Sequence, residues 1–349
     1  MGYLGVETPM ELSSPSLLFK PAACLVLGFG ALLAPIQAQG SPQVEWSFKD
    51  ASLVGAIRTV DFSPNGQYVA YAAEFTREIM IRRASDGALV GTLSGSANMG
   101  MKEAAFAPNG SAVAGAWSIQ GWTFAIFGGA ETFGPGSGSP VLTTTDHDDL
   151  VTCLAWSPDS LTILTASVEG RADLVDAATG AALLEVDHGV EIRDVAFSPD
   201  GLFFATAGVD GVVNIWDATT GLLTRSIVAH LGAVSQVAFS PDNIHIATGG
   251  GDPLADTAIN IYAYASGTYV VSHTLQNEEI TGLVYLGTGN RLMSADYSSI
   301  LRVSDALGPA EYATIDLGHG PRATSLDLHE GQRRYVWGTG DGWVTMARR

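Results

Sequence analysis

The 349-residue chain sets 36 acidic residues against 17 Lys and Arg, a formal net charge of −19. No basic surplus exists to neutralise phosphates, so nucleic acid and anionic membrane are set aside as partners. The 41 glycines and 15 prolines point to many tight turns, and two cysteines are too few for a disulfide scaffold.

Near the start of the chain, residues 21–40 read "PAACLVLGFGALLAPIQAQG", apolar over residues 22–36, with Lys20 before and small Ala38 after that apolar run. Interrupted by Gly28, Gly30 and Pro35, this stretch is short for a membrane span and predicts a secretory signal peptide cleaved near Ala38. The mature chain, residues 39–349, is then secreted or periplasmic, with no membrane insertion after signal removal. Glu7 and Glu11 stand where positive charge is usual, which leaves an uncleaved membrane anchor as the alternative. Cys24 departs with the signal. Cys153 stands alone, read as a small buried apolar residue rather than a reactive thiol.

From residue 43 the chain alternates strands and turns. "QVEWSFK" predicts one strand without a unit of its own, and then a repeat begins. Its landmark aromatics are Phe62, Phe106, Trp156, Phe197 and Phe239, with Tyr285 and Leu328 in worn copies, at intervals of 44, 50, 41, 42, 46 and 43 residues. In the fourth unit "DVAF" and "LFFATAG" are joined by Ser-Pro-Asp-Gly, where Pro presets φ and Gly supplies a positive φ. "VVNIWD" follows Asp210-Gly211, a hairpin dipeptide, and "LTRSIVA" makes a fourth strand. Four strands per roughly 40–45 residues is the spacing of a propeller blade, and no helical periodicity competes with it.

The ends fit the same reading. The seventh unit stops after its third strand, "GWVTMA", so "QVEWSFK" supplies the missing outer strand. The predicted fold is all-β: a seven-bladed β-propeller of four-stranded antiparallel blades, closed by the N-terminal strand completing the last blade, which leaves no open sheet edge.

The fourth unit resembles the WD-repeat family over a specific set of residues. The resemblance implies a hydrogen-bonded tetrad of His188, Thr206, Asp210 and Trp216, and in the fifth unit His230, Thr248 and Asp252 with Tyr262 for Trp. The third unit keeps His147 and Thr165 with Glu169 and Val175 in the other places, and the seventh keeps His319 and Asp341. These residues are structural on that reading. The resemblance also implies a noncatalytic scaffold for a protein or peptide partner.

Catalytic signatures are missing: the sequence has no G-x-S-x-G, H-E-x-x-H, phosphate loop or C-x-x-C. Three residues before each landmark the inner strands place Thr59, Glu103, Cys153, Asp194, Gln236, Gly282 and Ser325. Two acids in that register make no cage for a hard cation, and no metal or other cofactor is expected. One residue earlier come Arg58, Lys102 and Arg193, a potential anion spot. Arg58, Glu103, Arg193 and Asp194 thus define a candidate channel site, the basis of the alternative reading as a propeller enzyme or small-ligand binder. "TTTDHDDL" is read as a solvated loop around a structural His147 rather than a cation site.

The two longest intervals hold insertions, and these are the candidate partner contacts. Residues 127–140 carry Phe127, Phe133 and Pro140, and residues 249–256 carry Asp252 and Asp256. Trp117, Trp122 and Trp343 are available should the ring bind carbohydrate. Asn109-Gly-Ser is a glycosylation sequon in a predicted turn. The expected assembly state is a monomer.

Overall fold

In the second and third strands of the repeat nearly every residue is buried, whereas outer strands such as Leu223–Val228 are exposed along most of their length. Burial on both faces at once means that each sheet is packed between two others, and this shapes the fold. The computed structural model describes residues 43–49, 55–76, 78–94, 101–117, 123–128, 137–138, 142–144, 147, 149–252, 256–274, 278–308, 311–316 and 322–348. The signal-peptide reading, Phe133, Pro140, Trp122 and His319 lie outside the described residues.

The strands form antiparallel sheets, numbered here by their innermost strands: Ile57–Phe62, Met101–Phe106, Val151–Trp156, Ile192–Phe197, Val234–Phe239, Ile280–Leu286 and Ala323–His329. Six sheets are four-stranded and one has five strands. In sheet four the order is Ile192–Phe197, Phe203–Gly208, Val212–Asp217 and Leu223–Val228. Each innermost strand neighbours the next around the series, and that of sheet seven neighbours that of sheet one. The apolar cores lie in the seams. Ile215, Ile227 and Ala207 of sheet four pack against Val237, Phe239 and Ile246 of sheet five, and Ile79 and Ile81 of sheet one against Phe106 and Val113 of sheet two. Each Ile, Val or Phe among them contributes about 1.5–3 kcal/mol when fully buried.

Sheet seven takes Ala323–His329, Arg334–Thr339 and Trp343–Arg348 from the end of the chain and Gln43–Lys49 from its start. Gln43–Lys49 runs antiparallel to Trp343–Arg348 in the outermost position, with Ser47 Oγ 2.7 Å from Thr345 Oγ1 and Arg334 Nε 2.6 Å from the Glu45 carboxylate.

Sheet one departs from four strands. Ser137–Gly138, out of the residue 127–140 insertion, pairs in parallel with Thr92 and Leu93 of the outer strand Leu89–Ser94. An outer strand presents unpaired N–H and C=O groups, and a neighbouring insertion can cover them. Ser137 and Gly138 therefore cover part of that edge.

Every innermost strand carries the same irregularity. The pairing slips between Ile57 and Thr59, Met101 and Glu103, Ile192 and Asp194, and at the matching place in the other four. Such a bulge leaves one residue out of the ladder and re-aims its side chain. The residues left out include Arg58, Lys102 and Arg193. Among the described residues no helix is long and apolar enough to cross a membrane.

Candidate functional site: the central channel and its mouth

The sequence sets at the hairpin turns come together, with one correction. In sheet four His188 Nδ1 lies 2.6 Å from Thr206 Oγ1, Trp216 Nε1 donates to the same oxygen at 3.0 Å, and Asp210 Oδ1 is 3.5 Å from His188 Nε2. Asn214, which the sequence reading passed over, places Nδ2 3.4 Å from His188 Nδ1 and accepts from Ser226 Oγ. Gly208 makes room for the imidazole, since a Cβ there would sit 2.3 Å from His188 Nε2.

In sheet five His230 Nε2 meets Thr248 Oγ1 at 2.8 Å, but its Nδ1 meets Asp256 Oδ2 at 3.0 Å. The tetrad acid is thus Asp256, where the sequence reading placed Asp252. The reason is register. Asp210 stands four residues before Asn214 and accepts from Val212 N, and Asp256 stands four before Asn260 and accepts from Ala258 N. The inserted turn adds its residues before that point, so counting from the preceding strand selects the wrong Asp. Tyr262 does not copy Trp216 either, because its hydroxyl donates to the Ala229 carbonyl. Asp256, held under His230, is largely withdrawn from the partner surface assigned to it. Burial lowers the pKa of both His188 and His230 against the opposing carboxylates, so each imidazole favours its neutral form.

Sheet three brings His147 Nε2 to 2.8 Å from Thr165 Oγ1, with Glu169 3.8 Å from Nδ1. Its buried acid, Asp173, was missed from sequence, and Arg171 grips both carboxylate oxygens at 2.9 Å. In sheet seven Thr339 Oγ1 donates to Asp341 at 2.7 Å.

Inside the channel Glu103 and Asp194 do the same work. Glu103 accepts from Leu154 N of sheet three and Asp194 from Val237 N of sheet five, each at 2.8 Å. Both are half-buried. Burial raises Glu103 to about 8, with the Asp194 charge adding to it, and burial raises Asp194 to about 7. Two further acids, one residue before the landmarks Phe62 and Leu328, were overlooked. Asp61 accepts from Phe106 N and Asp327 from Phe62 N, each at 2.6 Å. Burial, and then the Asp327 charge, holds Asp61 well above the usual carboxylate range. The sequence signal was present as "VDF" and "LDL", where the second to sixth units carry Ala or Val. Each carboxylate thus bridges one inner strand to the next. Cys153 is buried, and burial raises its thiol pKa. Gly282, in the register of Glu103, leaves no room for a side chain, since a Cβ would lie 2.6 Å from Leu326 Cβ.

The bulged residues occupy the mouth at the N-terminal ends of the inner strands. Arg58 pairs with Glu74, and Arg193 Nε pairs with Glu191 at 2.8 Å. Burial lowers the Lys102 pKa, and the charge of Arg58 lowers it further. Glu279 is raised by burial against the pull of Arg193, Arg322 and Arg58, and the Arg322 guanidinium lies 5.3 Å from the Tyr297 ring centre. Phe75, next to Glu74, is 62% exposed. Arg58, Lys102 and Arg193 from three sheets and Arg322 from a connecting segment thus lie near Glu74, Glu191 and Glu279. Of the candidate channel set, Arg58 and Arg193 belong to this mouth and Glu103 and Asp194 to the wall below. Among the described residues no group of three His, Cys, Asp or Glu is placed to hold a metal.

Three stretches, residues 138–173, 183–217 and 221–261, match the family model described as "WD domain, G-beta repeat". The second and third start at or just before the outer strand of one sheet and end in the third strand of the next, one strand out of phase with the sheets. A comparison with curated proteins gives no match. Among solved structures, the chain is similar to one described as "Crystal Structure of Mitotic Checkpoint Complex", at 21% identity over 97% of this chain and 99% of that one, with a TM-score of 0.78. That likeness is one of fold. The chain is an all-β propeller of four-stranded antiparallel blades that carries WD40 repeats.

Proposed function

We propose that this protein is a noncatalytic scaffold: a monomeric seven-bladed ring, closed by its N-terminal strand, that holds a protein or peptide partner outside the cytoplasm. The placement of Gln43–Lys49 beside Trp343–Arg348 supports the closure, and the one-strand offset of the repeats agrees with it. The apolar residues 22–36 and Ala38 support export.

One observation carries the partner assignment. Arg58, Lys102, Arg193 and Arg322 converge on one end of the channel in a chain of net charge −19, with Glu74, Glu191 and Glu279 beside them among the described residues. Such a cluster of cations attracts an acidic segment and orients it. Exposed Phe75 gives the same segment an apolar contact. The wall acids support a noncatalytic role, because they are engaged with backbone N–H groups of adjacent strands.

The test is binding of an Asp/Glu-rich peptide to the mature ring by calorimetry, with Lys102→Glu and Arg193→Glu as variants. The expected result is at least about a tenfold loss with both changes, equivalent to about 1.4 kcal/mol. Undiminished binding removes the mouth from the proposal. A ligand lost with Asp194→Ala in a still-folded ring would favour the channel-ligand reading instead. N-terminal sequencing of exported protein tests cleavage near Ala38, and capture with residues 127–140 deleted tests the insertion as a contact.

A further inference from the structure

The opposite face, at the C-terminal ends of the inner strands, differs from sheet to sheet in an ordered way. Each first hairpin turn there has one residue three positions after the landmark and another five after it. In sheets three, four and five these are Asp159 with Leu161, Asp200 with Leu202, and Asp242 with Ile244. At the five-position the other sheets have Gln67, Ser111, Asn290 and Arg333. At the three-position they have Asn65, Asn109, Thr288 and Gly331. The acid and the aliphatic residue therefore occur together, in three consecutive sheets.

The aliphatic residues project into solvent, with Leu161 63%, Leu202 57% and Ile244 52% exposed. The turns also touch. Gly201 packs over Pro158, a Cβ there falling 3.7 Å from Pro158 Cδ, and Asn243 Nδ2 donates to Asp200. Between sheets three and four the same face opens into a cleft of about 540 Å³ with Leu183, Leu184 and Phe197 in its wall and Asp159 and Asp200 at its edge. Exposed aliphatic side chains on adjoining turns, each beside an acid and next to a partly apolar cleft, mark an interaction surface. Ser157 Oγ holds Asp159 below the usual carboxylate range; Asp200 is also lowered, its burial being outweighed by bonds from Ser198 and Leu202. Arg225, on the outer strand of sheet four, directs its guanidinium to the Ala265 carbonyl at 3.0 Å.

We propose that this three-sheet strip is a second docking surface, and that its occupant is a basic amphipathic segment of a partner protein. Aliphatic side chains of that segment fill the cleft and lie on Leu161, Leu202 and Ile244, and its Lys or Arg side chains meet Asp159, Asp200 and Asp242. A strand of five or six residues separates this face from the mouth by about 17–20 Å, so the two surfaces select opposite charges independently. The inference extends the scaffold reading to a second partner segment and does not depend on the mouth being occupied.

The experiment uses the mature chain and three labelled peptides of equal length, built from Leu and Lys, from Ser and Lys, and from Leu and Glu, with binding read by fluorescence anisotropy at low and high salt. Variants borrow residues the protein already tolerates at these positions: Leu161→Gln, Leu202→Ser and Ile244→Asn together, and separately Asp159→Asn with Asp242→Asn. Asn65 already serves such a turn, accepting from Ser63 Oγ and Gln67 N. The Leu/Lys peptide is expected to bind best. The aliphatic triple variant should weaken it about tenfold or more and the Asn pair about threefold, with a flatter salt dependence, while Lys102→Glu leaves it unchanged. Equal binding by either control peptide, or full affinity in the triple variant, overturns the proposal. So does a wild-type dimer that the triple variant dissolves, which would assign the strip to a second copy of this chain. Loss of acidic-peptide binding on Lys102→Glu with Leu/Lys binding intact separates the two surfaces.

Discussion

Sheets four and six hold equivalent hairpins with unlike chemistry. In sheet four a neutral imidazole, a hydroxyl, an amide and an indole share hydrogen bonds around Thr206. In sheet six Ser294 stands in the place of Thr206 and Arg302 in that of Asn214, and Arg302 Nη1 donates to buried Asp296 at 2.7 Å. Sheet one uses a third solution: Arg82 Nε donates to the hydroxyl of buried Tyr71 while its guanidinium lies 3.8 Å from the Phe48 ring centre. What persists is a buried polar slot whose donors and acceptors must satisfy one another. Residue identity can change provided the whole slot changes together.

The sharpest way to break that comparison is to remove half of the sheet-six pair. Arg302→Leu leaves the Asp296 carboxylate buried and is expected to cost about 3–5 kcal/mol, read by denaturant unfolding. Adding Asp296→Asn should return much of the loss. If the double variant is no more stable than the single, the ion pair is not what the slot requires. Next in size is Thr206→Val, which removes the oxygen shared by His188 and Trp216. It should cost about 1–3 kcal/mol, and a change within error would show the sheet-four set to be incidental.

These slots also explain what could be read from sequence. The repeat, the strands and their turns were legible because alternation and Ser-Pro-Asp-Gly act locally. The tetrad of sheet four was legible because all its members are present. Asp173, Asp296 with Arg302, and Tyr71 with Arg82 were not, since each replaces the pattern with residues that become partners only once strands are paired. The bridging role of Asp61 and Asp327 was hidden for a related reason: their acceptor contacts cross from one repeat to the next, about 45 and 265 residues away in sequence. The mouth lay halfway between. Arg58, Lys102 and Arg193 shared a visible register, whereas Arg322, Glu279 and Tyr297 come from connecting segments with no common spacing.

Sheet five sharpens the comparison by a smaller step, because it has two candidate acids. Asp256→Ala removes the carboxylate beside His230 and should cost about 1–2 kcal/mol, while Asp252→Ala should cost clearly less. Equal losses would mean that the extended turn, not the His230 contact, sets the effect. The same pair has an NMR readout. The Asp256 carboxylate opposes the effect of burial on His230, so Asp256→Ala should lower the imidazole pKa further and Asp252→Ala should barely move it.

A pH-dependent comparison concerns a polar group whose charge opposes folding. Glu103 titrates from 4.5 in the unfolded chain to about 8 in the fold, so it favours the folded state fully below pH 4.5 and loses that contribution as pH rises through 8. His188, His230 and His273 work in the other direction. Burial lowers their pKa, and the stability they contribute is lost as pH falls below about 6.5. The raw pH profile mixes both slopes, but a difference between two proteins cancels the histidines. Glu103→Gln keeps an oxygen to accept from Leu154 N and carries no charge. It should therefore stay within about 2 °C of wild type at pH 5 and melt several degrees higher at pH 8.5. A variant less stable at both values would show that the carboxylate is needed as an anion, and the wall acids would then require a bound counter-charge that the strand-to-strand bonds do not supply.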